Sequence, residues 1–453
     1  MQVPAIKTEA TLLLKLALPI LLAQLALTGL GVIDTIMSGQ VGTNDLAAIG
    51  LGSSIMLPVF MFSTGILLAI TPLVAKALGE SKPERITRYL NQGLWLSLPL
   101  GGLSLVVLMN LEWVLELLSL NDAVYQLTQD YLFYIAFGMP AIALYQALRF
   151  FWEGLGTTLP TMWISFFALF LNVPLNAIFI YGMGPIEPMG AAGCGVASSI
   201  VMWVMLLLGV LYVAKSKLTQ PFLAFQNTLL GIHWREGLKP ILSLGVPTTF
   251  ALLFEISLFS MVALFIAPLG AVVIAGHQIA ISFTSLAFMI PLSFAMALTV
   301  RVGLGYGEKN PDQLRLSLFT GFLFSIVLGL LLAVISYFLR VDIVSVYSKE
   351  PDVLYLAASL LVFAAIYQVF DAIQVTAAGA LRGFHDSTIT MLVTLVSYWG
   401  IGLGLGYVFA FTEWIFPPMG VQGFWLGIVL GLLLAAILLP LRLKRVYRLA
   451  VIK

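Results

Sequence analysis

The chain has 453 residues, 60% of them hydrophobic and only 9% charged, and its mean hydropathy is +1.04. A soluble domain typically covers itself with about 25% charged residues, so 22 basic and 21 acidic side chains exclude a water-facing enzyme, a disordered chain and a fibrous one. A net charge of +1 leaves no electrostatic footprint for nucleic acid. The single cysteine, Cys194, excludes an intrachain disulfide or a multi-cysteine metal site and reads as a packing residue.

A bilayer core takes about 20 apolar residues per helix. In chain order, twelve runs qualify: 11–38, 46–76, 91–111, 124–148, 160–182, 190–214, 241–267, 273–300, 314–339, 353–380, 388–411 and 419–440. They are continuous rather than alternating, which predicts helices and not barrel strands. The first run follows Lys7 and has Lys15 near its start, is too long for a signal peptide and has no clear small-residue cleavage site, so it reads as a retained helix. The predicted fold class is an all-α polytopic membrane protein with 12 transmembrane helices.

Lys and Arg set the orientation, because cytoplasmic loops hold the excess. With twelve spans, both termini and the loops after even-numbered spans share one side, and that side carries 20 of the 22 basic residues. Only Arg340 and Lys349 fall opposite. One missed span would scramble this asymmetry, so it supports the count and places both termini in the cytoplasm.

Shifted by 228 residues, the chain meets itself. Pro19 meets Pro247, Gly42 meets Gly270, Phe60-Met61 meets Phe288-Met289, Thr71 meets Thr299, Gly79-Glu80 meets Gly307-Glu308 and Pro83 meets Pro311. A shift of 229 pairs Gly154 with Gly383, and one of 230 pairs Pro188-Met189-Gly190 with Pro418-Met419-Gly420. Six spans per repeat is an even number, so both repeats enter from the same side. Parallel repeats predict two six-helix lobes related by a pseudo-two-fold axis along the membrane normal, facing a shared cleft. The predicted divisions are residues 1–214, a cytoplasmic linker at 215–240, and 241–453.

A charge inside a span costs about 2.5–3.5 kcal/mol on insertion scales and marks a functional candidate. Three acids qualify: Asp34, Glu255 and Asp371. No Lys or Arg lies deep in any span, since Arg149, Arg301 and Arg382 fall at predicted cytoplasmic ends. A carboxylate in oil without a countercharge takes up a proton or binds a cation. Either way it exchanges a positive ligand with solution, as a cation-coupled transporter must.

Polar neighbours extend the candidate sites. Tyr367, Asp371 and Gln374 fall on one helical face, and their oxygens suit a hard monovalent cation or a protonated acid. Gln278 follows His277, which reads as a hydrogen-bonded structural histidine. Asn172 and Asn176 form an i, i+4 pair around Pro174, which removes a backbone donor and frees a carbonyl. With Asp34 they could hold a cation or a proton network. Pro19 and Pro247 at matched positions predict bends towards the cleft. The 30 Phe, 15 Tyr, 9 Trp and 16 Met residues read mostly as core and lipid-facing surface. Gly303, Gly305 and Gly307 follow no strand and are not a nucleotide loop; Gly427 and Gly431 suit helix packing within a lobe.

Several stretches together resemble the multidrug and toxic compound extrusion (MATE) family, in particular its bacterial NorM branch. They include Asp34-Thr35-Ile36-Met37-Ser38-Gly39, Glu153-Gly154-Leu155-Gly156, Asn172-Val173-Pro174-Leu175-Asn176, Phe254-Glu255, Gly276-His277-Gln278, Arg301-Val302-Gly303, Tyr367-Gln368-Val369-Phe370-Asp371 and Leu381-Arg382-Gly383. The resemblance runs from Pro19 to the basic tail. It implies outward export of cationic, amphipathic drugs driven by inward Na+ or H+. It further implies that Glu255, Tyr367 and Asp371 form a C-lobe cation site, a place for Na+, and that Asp34, Asn172, Asn176 and Ser198 form an N-lobe site. Some relatives outside the NorM branch carry Asp where this chain has Asn176, so the N-lobe site here is one charge poorer.

The expected function is therefore multidrug antiport by alternating access, with Pro19, Gln278 and Gln374 on the substrate cleft and no cofactor beyond the coupling ion. The partners expected are cationic drugs or dyes and the lipid bilayer, for a monomer in the bacterial inner membrane. A flippase for lipid-linked precursors is the alternative, but its anionic cargo would want Arg or Lys in the cleft. A membrane enzyme is disfavoured by the lack of a metal-ligand cluster or a nucleophile–base motif.

Overall fold

The architecture comes from a computed structural model that describes residues 3–117, 120–184, 186–223, 231–414 and 417–452. The first repeat holds α1 (Val3–Gly39), α2 (Thr43–Leu67), α3 (Ile70–Gly79), α4 (Pro83–Met109), α5 (Glu112–Leu117), α6 (Asp122–Ala136), α7 (Met139–Gly154), α8 (Leu159–Tyr181), α9 (Ala191–Lys215) and the short α10 (Gln220–Leu223). A π-helical turn, Trp234–Leu238, leads into α11 (Lys239–Ile266), α12 (Ala271–Gly307), α13 (Pro311–Phe338), α14 (Arg340–Tyr347) and α15 (Pro351–Gly383). Then come α16 (Ser387–Thr394), a π-helical stretch Leu395–Leu403, α17 (Gly404–Phe411) and α18 (Val421–Ile452). No strand occurs among the described residues.

Helix starts follow local chemistry. Pro83, Pro311 and Pro351 open their helices, where a missing N–H costs nothing, with Glu84, Asp312 and Asp352 at the positive end of the helix dipole. Asn121 and Asn310 accept from the backbone N–H of Val124 (2.8 Å) and Gln313 (3.1 Å) as N-caps. Among the described residues, eleven helical runs are long and apolar enough to cross a membrane, and the α6–α7 pair, bent by 46°, makes a twelfth if counted as one span. These correspond one to one with the predicted runs. Part of the predicted 215–240 connection is itself helical, at Gln220–Leu223 and Trp234–Leu238, while residues 224–230 lie outside the described ones.

The backbone repeats with the sequence. Ser81 and Lys309, 228 residues apart, share a left-handed φ of 54° and 53°, as Gly190 and Gly420 do at 56° and 59°. The Thr71 hydroxyl donates to the Phe150 carbonyl (3.2 Å), and its mate Thr299 donates to Gly379 (2.8 Å). Backbone N–H groups of Met189 and Gly190 donate to Phe179 and Ile180; those of Met419 and Gly420 donate to Phe409 and Ala410. The same tertiary bonds at the same register show that the repeats share a fold and not only a composition.

The chain divides into two compact units, one of residues 18–249 and the other of 1–17 with 250–453. Their boundaries fall inside α1 and α11, one residue before Pro19 and two after Pro247. In the first unit, Trp152, Phe150, Phe151, Ile70 and Leu67 form the core around α3, α4 and α7. A buried ion pair sits there: Arg149 Nε donates to Glu153 Oε1 at 2.8 Å, and the Thr161 hydroxyl donates to the same oxygen at 2.9 Å. In the second unit, the start of α1 is fastened by Glu9, which accepts from Arg301 through both carboxylate oxygens (2.9 and 2.7 Å) and from Ser317 (2.6 Å). Trp425, Phe424, Tyr398 and Leu360 lie in its core. Gly427 and Gly431 bring α18 against the π-helical stretch so closely that a Cβ would collide with the Gly402 and Ser397 carbonyls. The small-residue packing predicted within one lobe is thus present.

Candidate functional site

Each repeat contains a polar cluster built around the intramembrane acids. In the first, α1 supplies Asp34, α8 supplies Asn172 and Asn176 one turn apart, and α9 supplies Ser198. Asn176 Nδ2 donates to Asp34 Oδ1 (2.7 Å) and to Asn172 Oδ1 (3.0 Å), and Ser198 Oγ donates to Asp34 Oδ2 (3.1 Å). Asp34 is 8% exposed and both asparagines are fully buried. Asn176 Oδ1, Asn172 Nδ2 and Ser38 Oγ are buried with no hydrogen-bond partner among the described residues. Such open valences are unusual in a core, where polar atoms are nearly always satisfied. The four side chains predicted for this site therefore converge on one carboxyl.

Two further residues belong here. The Cys194 thiol lies beside the Asp34 carboxyl, and Tyr131 lies within electrostatic reach of both. Cys194 is therefore not only a packing residue. A lone cysteine in an apolar helix gives no sequence signal; its only hint is its place one turn before Ser198.

In the second repeat, Tyr367 and Asp371 sit one turn apart on α15, 4% and 7% exposed, and Glu255 on α11 is half-buried. The two carboxyls interact electrostatically, and Tyr367 feels both. Gln374, on the same face of α15, is buried with Oε1 unpartnered. Trp425 packs at 5.9 Å from the Tyr367 ring and donates through Nε1 to Nδ1 of His277 (3.2 Å), so His277 is a hydrogen-bonded core histidine. Gln278, one residue on, is exposed on its unit. Pro19 is buried, and α1 runs through it without interruption.

Arg382 stands in the last turn of α15, at the end of its span as expected, but it is 9% exposed and its field reaches Glu255. Even so, the ion pairs found among the described residues engage Glu9, Glu80, Glu153, Glu236 and Asp386, and none engages Asp34, Glu255 or Asp371. The three acids remain without a clamped guanidinium or ammonium. Sequence reasoning also missed Tyr398, which lies in the field of Glu255, Asp371 and Tyr367. No group of three or more His, Cys, Asp or Glu side chains suited to a metal occurs among the described residues. The clusters offer carboxyl, amide, hydroxyl and phenol oxygens, a chemistry that suits protons and hard monovalent cations.

The MatE family profile matches residues 19–178 and 247–408, one stretch in each repeat. The chain is 42% identical to a probable multidrug resistance protein NorM of Shewanella oneidensis over 97% of its own length and 95% of that protein's. It is 41% identical to the multidrug resistance protein NorM of Vibrio vulnificus, covering 98% and 96% of the two chains. It is 40% identical to the multidrug resistance protein MdtK of Yersinia pseudotuberculosis, covering 96% and 95%. Among solved structures, its fold is similar to that of the eukaryotic MATE transporter AtDTX14, with a TM-score of 0.86 at 20% identity over 99% of each chain. The Vibrio cholerae MATE transporter VcmN in its bent form has a TM-score of 0.85 at 20% identity, again over 99% of each chain.

Proposed function

The chain belongs to the MatE family of multidrug and toxic compound extrusion transporters, and on that premise we propose that it exports cationic, amphipathic drugs in exchange for Na+ or H+. Multidrug efflux is the activity its relatives are named for. The observation that carries the coupling is the set of carboxyls, buried Asp34 and Asp371 and half-buried Glu255, that have no ion-pair partner among the described residues.

A carboxylate in an apolar surround is stable only with a positive companion. When the coupling ion neutralises Glu255 or Asp371, a cationic drug held by the same charge loses its partner. The ion and the drug thus compete for one negative charge, and each turn of the transporter exchanges one for the other. In the first repeat Asp34 does the same with Asn172, Asn176 and Ser198 as neutral oxygen ligands. The excess of Lys and Arg on one side of the predicted topology supports both termini in the cytoplasm, and the bacterial relatives support residence in an inner membrane.

The test is ethidium export in everted vesicles under a Na+ gradient alone and under a proton gradient alone. One gradient is expected to drive export, and Asp371→Asn or Glu255→Gln to abolish it while the protein still reaches the membrane. Export at the parent rate by the double variant overturns the coupling.

A further inference from the structure

Tyr398 is 2% exposed, and its phenol oxygen is buried with no hydrogen-bond partner among the described residues. Leaving a buried donor unsatisfied costs about 1–3 kcal/mol. Something in the transport cycle should repay a hydroxyl held there.

Its position is built, not incidental. Tyr398 stands in the π-helical stretch Leu395–Leu403, and π-turns inside long helices concentrate at functional sites. From behind, Gly427 and Gly431 of α18 press directly on the carbonyls of Gly402 and Ser397, leaving no room for a Cβ. Tyr398 and Tyr367 share one buried cluster, and the Glu255 and Asp371 carboxyls act electrostatically on the Tyr398 hydroxyl. Gln374 Oε1, on the Asp371 face of α15, is unpartnered as well. The cluster is therefore made of oxygens from three elements. The fifth span of the first repeat likewise contributes to its cluster, through Asn172 and Asn176 of α8. The fifth span of the second repeat, α16 to α17, contributes through Tyr398.

We propose that Tyr398 is a direct ligand of the coupling ion in the second repeat, its phenol oxygen joining Glu255, Tyr367 and Asp371 around Na+. The proposal rests on the antiport reading above and adds the residue that favours Na+ over H+. A proton needs one oxygen, whereas a dehydrated Na+ needs a shell of them. A neutral phenol adds a ligand without adding charge.

The experiment compares the parent, Tyr398→Phe and Asp371→Asn in everted vesicles, with ethidium export read against Na+ concentration. Phenylalanine keeps the ring and its packing, and thermal unfolding of the purified protein checks the fold. Tyr398→Phe is expected to need about tenfold more Na+ for half-maximal export, equivalent to about 1.4 kcal/mol. Binding of 22Na+ to the purified protein should weaken by the same factor. An unchanged Na+ requirement or unchanged 22Na+ binding overturns the role of Tyr398, and so does a lowered unfolding temperature with a lowered rate at every Na+ concentration, which points to packing alone. A Na+ response that persists in Asp371→Asn, or is absent from the parent, instead overturns the coupling reading beneath it.

Discussion

Glu153 and Arg382 stand at the same position in the two repeats, one before Gly154 and the other before Gly383, and carry opposite charges. In the first repeat the charge is closed on itself: Arg149, one turn earlier on α7, pairs with Glu153, and the pair is almost fully buried. In the second, Ala378 stands where Arg149 does, so Arg382 has no carboxylate on its own helix one turn away. Its field instead reaches Glu255. The first cluster thus contains one acid, Asp34, among amides and hydroxyls, and the second contains two acids with an arginine nearby. Counted fully ionised, each is left with one net negative charge. The comparison teaches that duplicated halves can arrive at the same charge by different residues, and that a matched position need not keep a matched role.

The largest effect should come from the acids themselves. If both halves bind the coupling ion, Asp34→Asn and Asp371→Asn should each reduce ethidium export to background. Export that survives Asp34→Asn would confine coupling to the second repeat and break the comparison. Next comes the closed pair. Glu153→Gln leaves Arg149 buried and unpaired, which should cost about 3–5 kcal/mol of stability, read as a lowered unfolding temperature in detergent. Replacing both by apolar residues should recover most of that loss, because a buried pair adds little over good packing.

A smaller shift is expected from Arg382→Met. Removing a positive charge near Glu255 makes the cluster more negative, so less Na+ should be needed for half-maximal export, with no change in the first repeat. A rise in the Na+ requirement would show that Arg382 holds Glu255 in place rather than opposing the ion. The smallest effect belongs to Glu80, outside the spans, where Lys82, Arg85 and Lys76 gather. Partial burial pushes its carboxyl up, but the hydrogen bond from Lys82 and the charges of Arg85, Lys76 and Lys82 outweigh this and hold it below the ordinary value. Its contribution is therefore present above the unfolded carboxylate pKa of about 4.3 and fades as pH falls through the lower folded value. Glu80→Gln should cost under about 1 kcal/mol at neutral pH, and the difference from the parent should vanish in acid.

The spans, the repeat and the first cluster were legible in the sequence for physical reasons. Continuous apolar runs have no soluble explanation, and Asp34, Asn172 and Asn176 are polar residues where oil is expected. Ser198 was carried by family resemblance alone. Tyr398 was not legible because no hydropathy period reveals a π-helix, and an extra residue per turn re-aims a side chain without changing composition. The reach of Arg382 to Glu255 was not legible, because position at the end of a span says nothing about which neighbouring helix brings an acid within its field.

The hydrogen bond from Trp425 to His277 has a spectroscopic consequence. The indole is fully shielded, tilted against Tyr367 and hydrogen-bonded to an imidazole, so its emission should respond to changes in either neighbour. Of the nine tryptophans in the chain, others such as Trp163 and Trp414 are exposed on their units. A variant retaining Trp425 alone would carry an optical probe beside the second cluster, able to follow ion arrival in real time without an added label.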